Sequence, residues 1–413
     1  MNSLRRVELF CRVVDNFGDI GVCWRLARQL VAEHDLTVRL WVDDLDTFAR
    51  LERRIAPRLA AQTLAGVLVR RWTDDAKGGA GGAGVRGEDG DTGDTGDTGE
   101  ADGAAAALVA DCVASDLLIE AFGCGLPAAL AQAVARRPRP PVWINLEYLS
   151  AEDWVAGCHG LTSPQPDHAD RSGRPLLRHF FFPGFTADSG GLIAERGLLA
   201  ARQAWQADRS AQAAFWRRLG LEPANGSALR SALFAYPYAP LAALRAAWAA
   251  GPRPVTVLVP EGLFPEWPAG RTGALTMARL PFLPQDDYDR LLWSCDLVFV
   301  RGEDSWVRAL WAGRPLAWHI YAQEAGAHFV KLDAFAARWL AGLCASDAAA
   351  AAAQRDFWNA WNGRPGALPV GEAWQAWQAR LPACAAHARR WSDGLLAQSG
   401  LATRLLEFAA RVW

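Results

Sequence analysis

Short apolar runs alternate with amphipathic stretches along most of the chain. Val7 to Val14, broken only by Glu8 and Arg12, reads as a buried strand, and the polar turn Asp15-Asn16-Phe17-Gly18-Asp19-Ile20-Gly21 follows it. A helix is predicted from Val22 to Glu33, then a second strand from Leu36 to Val42 that ends at Asp43-Asp44. Leu117 to Phe122 and Val142 to Asn145 are further strands, each feeding a loop. After a helical connector over Gly191 to Leu219, a second set begins: Leu229 to Tyr236, Val255 to Val259, Leu275 to Leu280 and Leu297 to Val300. Helices over Gln285 to Ser294 and Trp306 to Ala312 are interleaved with them. Strands that alternate with helices make parallel sheets covered on both faces, with ligand sites at the carboxyl ends of the strands. The fold class expected is therefore α/β, in two Rossmann-like units. We place the first at residues 1–186 and the second at 187–396, with a last helix at 397–413 that crosses back onto the first.

Composition narrows the function. The chain has 413 residues, long for one core and natural for two. Its net charge of −2 argues against a nucleic-acid binder, and no apolar run approaches the roughly 20 residues that span a bilayer. A cytoplasmic protein with no membrane or nucleic-acid partner is expected. Residues 77–103, with a Gly-Asp-Thr triplet repeated from Gly90 to Thr98, cannot bury apolar surface and read as a disordered insertion. Its Asp89 and Asp91 spell a D-x-D, but no strand or ordered turn is predicted to hold them. The eight cysteines form no C-x-x-C pair and the histidines no ligand spacing, so no metal site is expected, and the cysteines read as small buried hydrophobes.

Two turns carry candidate chemistry. The strand ending at Val300 runs straight into Arg301-Gly302-Glu303-Asp304-Ser305 and then a helix. A helix amino terminus offers unpaired N–H groups and a positive dipole end, which suits a diphosphate; Arg301 adds charge and Ser305 a hydroxyl. Glu303 suits a ribose or sugar hydroxyl, because a carboxylate repels phosphate. The competing reading is a plain helix cap by Asp304 or Ser305. Phe282 and Tyr236 suit stacking on a pyrimidine, and Gln285 suits hydrogen bonding to its edge. In the first unit, Asp15 and Asp19 bracket a glycine-containing turn that is not G-x-G-x-x-G, which disfavours a nicotinamide cofactor. Here too the alternative is that Asp19 merely caps the helix.

These turns, together with Asn145 to Trp154, Phe181 to Phe185 and Gln285 to Trp293, closely resemble the EarP family of protein-arginine rhamnosyltransferases, which modify bacterial translation elongation factor P (EF-P). The resemblance runs through nearly the whole chain in order, the Gly-Asp-Thr insertion excepted. It implies a GT-B fold, two Rossmann-like domains facing across a cleft, and inverting transfer of rhamnose from dTDP-β-L-rhamnose to an arginine. It puts donor contacts on Phe234, Tyr236, Phe282, Gln285, Tyr288, Arg301, Glu303, Asp304 and Ser305, and essential carboxylates on Asp15 and Asp19. No cofactor is implied beyond the nucleotide sugar. Asp15 is expected to act as base while Asp19 holds the sugar or the loop, and Asn16, Phe17, Gly18 and Gly21 are candidate backbone or acceptor contacts. Glu147, Tyr148, Trp154 and His159 are candidates for the acceptor or for loop structure. Two alternatives stay open on the residues alone. One is a nucleotide-sugar epimerase or small-molecule transferase on the same fold, the other a non-catalytic nucleotide-sugar-binding protein.

Overall fold

The computed structural model describes residues 4–14, 17–72, 106–222 and 228–413. The first sheet has eight strands: β1 (Arg6–Cys11), β2 (Thr37–Val42), β3 (Ala61–Leu64), β4 (Val67–Arg71), β5 (Leu117–Ala121), β6 (Val142–Leu146), β7 (Thr162–Ala169) and β8 (Pro175–Phe181). Their order is β3-β4-β2-β1-β5-β6-β8-β7, parallel except for the outer strands β3 and β7. The second sheet has six: β9 (Leu229–Leu233), β10 (Val255–Pro260), β11 (Gly270–Thr272), β12 (Leu275–Leu280), β13 (Leu297–Arg301) and β14 (Leu316–His319). Here the order is β11-β12-β10-β9-β13-β14, and only β11 is antiparallel.

This order fixes where the sites lie. The chain leaves β1 to one side for β2 and later returns to the other side for β5, so a crevice opens at the carboxyl end of β1. The helix Gly18–His34, which carries Asp19, follows β1 in the chain. The same reversal occurs at β9, flanked by β10 and β13, and Phe234 and the Arg301 loop sit at that second switch point.

Alternation along the strands explains the layers. Val7, Leu9 and Cys11 face the helix Gly18–His34, while Phe10 turns to the opposite layer with Trp41, Trp143 and the helix Ala128–Ala135. Glu8 also points into that layer and is fully satisfied there: Trp41 Nε1 donates to it at 2.7 Å and Ser115 Oγ at 2.6 Å. Most tryptophans are core, as their apolar settings imply; Trp24, Trp248, Trp306, Trp339 and Trp377 are buried. Cys11, Cys23, Cys112, Cys295 and Cys384 are buried too, whereas Cys344 is exposed.

Several boundaries differ from expectation for local reasons. β1 stops at Cys11, because the N–H groups of Val13 and Val14 go to the carboxylates of Asp43 and Asp19 and not to a neighbouring strand. The connector is two helices, Leu198–Ala207 and Arg209–Arg218, divided at Asp208, whose side chain caps the second. The helix Leu401–Val412 packs on the first unit, with Phe408 against His159, His179 and Phe181 and Arg404 donating to the Thr186 and Ser189 carbonyls. The insertion, with Asp89 and Asp91, lies outside the described residues, as do Asp15 and Asn16.

Candidate active site

β13 ends at Arg301, and Gly302 then turns the chain with φ +64°, a left-handed conformation that a side chain would strain. The helix Asp304–Ala312 follows at once, with Glu303 as its flanking residue and no side chain capping it. The plain-cap reading of Asp304 and Ser305 is therefore not met: the Ser305 hydroxyl donates back to the Arg301 carbonyl. The start of this helix lines a cleft of about 760 Å³. Phe234, Phe282, Gln285, Tyr288 and the whole of Arg301–Ser305 line this cleft. Of the donor residues expected, Tyr236 alone does not. It backs Arg301, whose guanidinium lies 4.8 Å from its ring and 4.5 Å from that of Phe234. Behind it His319 accepts the Tyr236 N–H at 3.1 Å, and burial, then the Arg301 charge, pushes the imidazole down to about 3, so it stays neutral.

The first unit supplies the opposite wall. Phe17 and Gly18, expected as acceptor-side contacts, line the same cleft, and the Phe17 ring meets Phe282 at 4.6 Å. Asp19 does not cap its helix, whose flanking residue is Phe17 with no side-chain bond. Its Oδ2 accepts the Val14 N–H at 2.9 Å and its Oδ1 the Tyr148 hydroxyl at 3.2 Å. The carboxylate is thus fixed, and it holds the strand-to-helix turn. Glu303 reaches the same place from the other unit: its Oε2 accepts the Leu149 N–H at 2.9 Å. Burial, then the nearby Asp19 and Asp304 carboxylates, pushes Glu303 up to about 8. Its carboxyl thus meets the first unit near Asp19, and Glu303 also lines the cleft, where a ribose or sugar hydroxyl is expected to meet it.

Gln285 and Asp304 are also spent on the contact between units. The Gln285 amide donates to the Gly21 carbonyl at 2.9 Å, and Asp304 accepts from Arg25 Nε at 2.8 Å. Gly21 suits this closeness, since a Cβ there would lie 3.2 Å from Asp304 Oδ2, a carboxylate that Arg25 holds in place. Gly21→Ala is expected to cost about 1–3 kcal/mol of stability, the usual range for overpacking, measured by denaturant unfolding.

Beneath these contacts lies a buried ionic cluster that the sequence reading missed. Arg25 and Arg308 are each 1% exposed, and both bind Asp289 through two nitrogens, at 2.6 to 3.1 Å. Glu195, from the connector, bridges the same two arginines at 3.4 and 2.7 Å. Four segments therefore converge on two guanidinium groups: the helix that carries Asp19, the connector, the helix Gln285–Ser294 and the helix Asp304–Ala312. Desolvation opposes charge here, but the paired carboxylates outweigh it for both arginines, whose charged forms are favoured. A signal was available, because each arginine interrupts an otherwise apolar helical run, Val22 to Ala27 and Trp306 to Ala312. Among the described residues, no group of three or more His, Cys, Asp or Glu is placed to hold a metal ion.

The model of the elongation factor P rhamnosyltransferase EarP family matches residues 7–85 and 102–410. The chain belongs to that family. Its relatives include the protein-arginine rhamnosyltransferases of Pseudomonas putida, 45% identical over 97% of both chains, and Pseudomonas aeruginosa, 44% identical over 98% of both. A solved structure described as the basis for EarP-mediated arginine glycosylation of EF-P is 33% identical, covers 99% of each chain and superposes with a TM-score of 0.62. The two sheets meeting across a cleft are accordingly the GT-B arrangement, and the chain is a protein-arginine rhamnosyltransferase of the EarP family. The family match omits residues 86–101, which carry the Gly-Asp-Thr repeat.

Proposed function

We propose that this enzyme transfers L-rhamnose from dTDP-β-L-rhamnose to an arginine side chain of EF-P, inverting the anomeric carbon, without a metal, in the cytoplasm. The observation that carries this reading is the meeting of two unlike walls. One is a cleft of aromatic rings, an arginine and an uncapped helix amino terminus; the other is a pair of carboxylates, Asp19 and Glu303, contributed by different units. The first wall suits a pyrimidine nucleoside diphosphate, and the second suits a guanidinium.

The chemistry follows from charge. A guanidinium has its lone pairs delocalised and keeps its proton to a pKa above about 12, so alone it is a poor nucleophile. Carboxylates around it draw the proton away as its nitrogen bonds to the anomeric carbon and the bond from that carbon to the diphosphate oxygen breaks. In this proposal the proton passes to the turn that carries Asp15 and Asp19, while Glu303 holds a second N–H. The departing dTDP gains negative charge, which Arg301 and the helix N–H groups stabilise.

Two results are expected. Phe282→Ala removes a stacking face and should weaken dTDP binding by about 1–3 kcal/mol, as read by calorimetry; Ser305→Ala should weaken it as well. Glu303 holds a proton up to about pH 8 in the free enzyme. A bound guanidinium favours the charged carboxylate and lowers that value, so EF-P binding should release a proton below pH 8 and none well above it. Binding heats in buffers of different ionisation enthalpy measure this; buffer-independent heats at pH 7 contradict it. The functional reading itself is tested by the mass of EF-P after incubation with the donor.

A further inference from the structure

Two adjacent residues hold the two carboxylates that the rhamnosyl-transfer reading places around the guanidinium. The Tyr148 hydroxyl donates to Asp19 Oδ1 at 3.2 Å, and the Leu149 N–H donates to Glu303 Oε2 at 2.9 Å. One dipeptide therefore sets how far apart the carboxylates stand, although they come from different units. It is anchored on either side. Just before it, Glu147 N–H donates to the Phe181 carbonyl at 3.0 Å, continuing the pairing of β6 with β8. The Tyr148 ring stacks on Phe122, centroids 4.3 Å apart and planes within 16°. Phe122 follows β5 directly, at φ +58°, and its N–H donates to the Leu146 carbonyl at 2.7 Å. A non-glycine residue in the left-handed region is uncommon, and here it brings a ring under Tyr148.

One oxygen of Asp19 accepts the Val14 N–H and the other the Tyr148 hydroxyl, so the two donors act together on the orientation of the carboxylate. We propose that Tyr148 is a positioning residue of the transfer reaction, its hydroxyl holding the Asp19 carboxylate at the separation from Glu303 that one guanidinium spans. This rests on the reading of Asp19 and Glu303 given above. The guanidinium is planar and offers donors along more than one edge, so it rewards a fixed pair of acceptors more than a mobile one.

Tyr148→Phe keeps the ring stacked on Phe122 and removes only the hydroxyl. With dTDP-β-L-rhamnose and EF-P as substrates, kcat should fall by about 10- to 100-fold, the value of a hydrogen bond to a charged group realised in the transition state. Donor KM, dTDP affinity and the unfolding temperature should stay at wild-type values, a split that a purely structural role does not produce. A wild-type kcat overturns the proposal, and so does a fall matched by weaker dTDP binding or a lower unfolding temperature. Asp19→Asn run alongside separates the two levels. If it transfers normally, the role given to Asp19 fails and this inference with it; if it is inactive while Tyr148→Phe is normal, only this inference fails.

Discussion

Asp19→Asn is expected to lower rhamnose transfer to EF-P by about 10²- to 10⁴-fold, the range that proton transfer at the turn of Asp15 and Asp19 contributes, while dTDP affinity stays near its wild-type value. The substitution separates charge from shape. Asparagine keeps a carbonyl oxygen that can still accept the Val14 N–H, so the turn retains its tether. If Asp19 did no more than hold the turn, transfer would continue at close to the normal rate. Donor binding should survive because the nucleotide contacts proposed above lie on the other wall of the cleft, from Phe234 to Ser305. Asp15→Asn is expected to give a loss of the same kind. Rates measured with saturating donor, and dTDP titrations on the same preparations, check both variants.

The second large effect is on stability. Arg25→Met should cost about 3–5 kcal/mol, the usual penalty for removing one partner of a buried ion pair. The size comes from what remains: Asp289 and Glu195 would keep Arg308 alone and Asp304 would lose its arginine, with Arg25's former bonds to each of them unmade. Urea unfolding of the variant measures the loss. Adding Asp304→Asn to Arg25→Met should recover part of it, because one orphaned charge is then removed, and a double variant no more stable than the single contradicts the account. The cluster joins both units through the connector, so the two should unfold in one transition in the wild type and separate in Arg25→Met.

How much of this was legible beforehand depended on how local the cause was. β1, β2, β5, β6, β9, β10, β12 and β13 were readable because each is a short apolar run, and the helix Gln285–Ser294 was found with the same ends. The hairpin of β7 and β8 was not, since Pro164, Pro166 and Pro175 argue against strands and no residue of β7 is buried; β7, an outer strand, tolerates proline because it has no neighbour to bond on one side, and Pro175 is the first residue of β8. Among site residues, the Arg301–Ser305 loop was visible as a strand running into a helix. The direction in which Glu303 points was not, because it is set by the Leu149 N–H, 154 positions away along the chain. The same holds for Arg25. Its place in an apolar helix signals a buried partner, but which carboxylates meet it is decided only when the two units close. Local pattern thus placed the loops, and tertiary contacts assigned their side chains.

The most direct test is the intact mass of EF-P after incubation with this enzyme and dTDP-β-L-rhamnose, followed by mapping of the modified peptide. The account predicts a gain of one deoxyhexose residue, located on an arginine and absent with Asp19→Asn. Unmodified EF-P, with the donor hydrolysed, epimerised or merely bound, would contradict it.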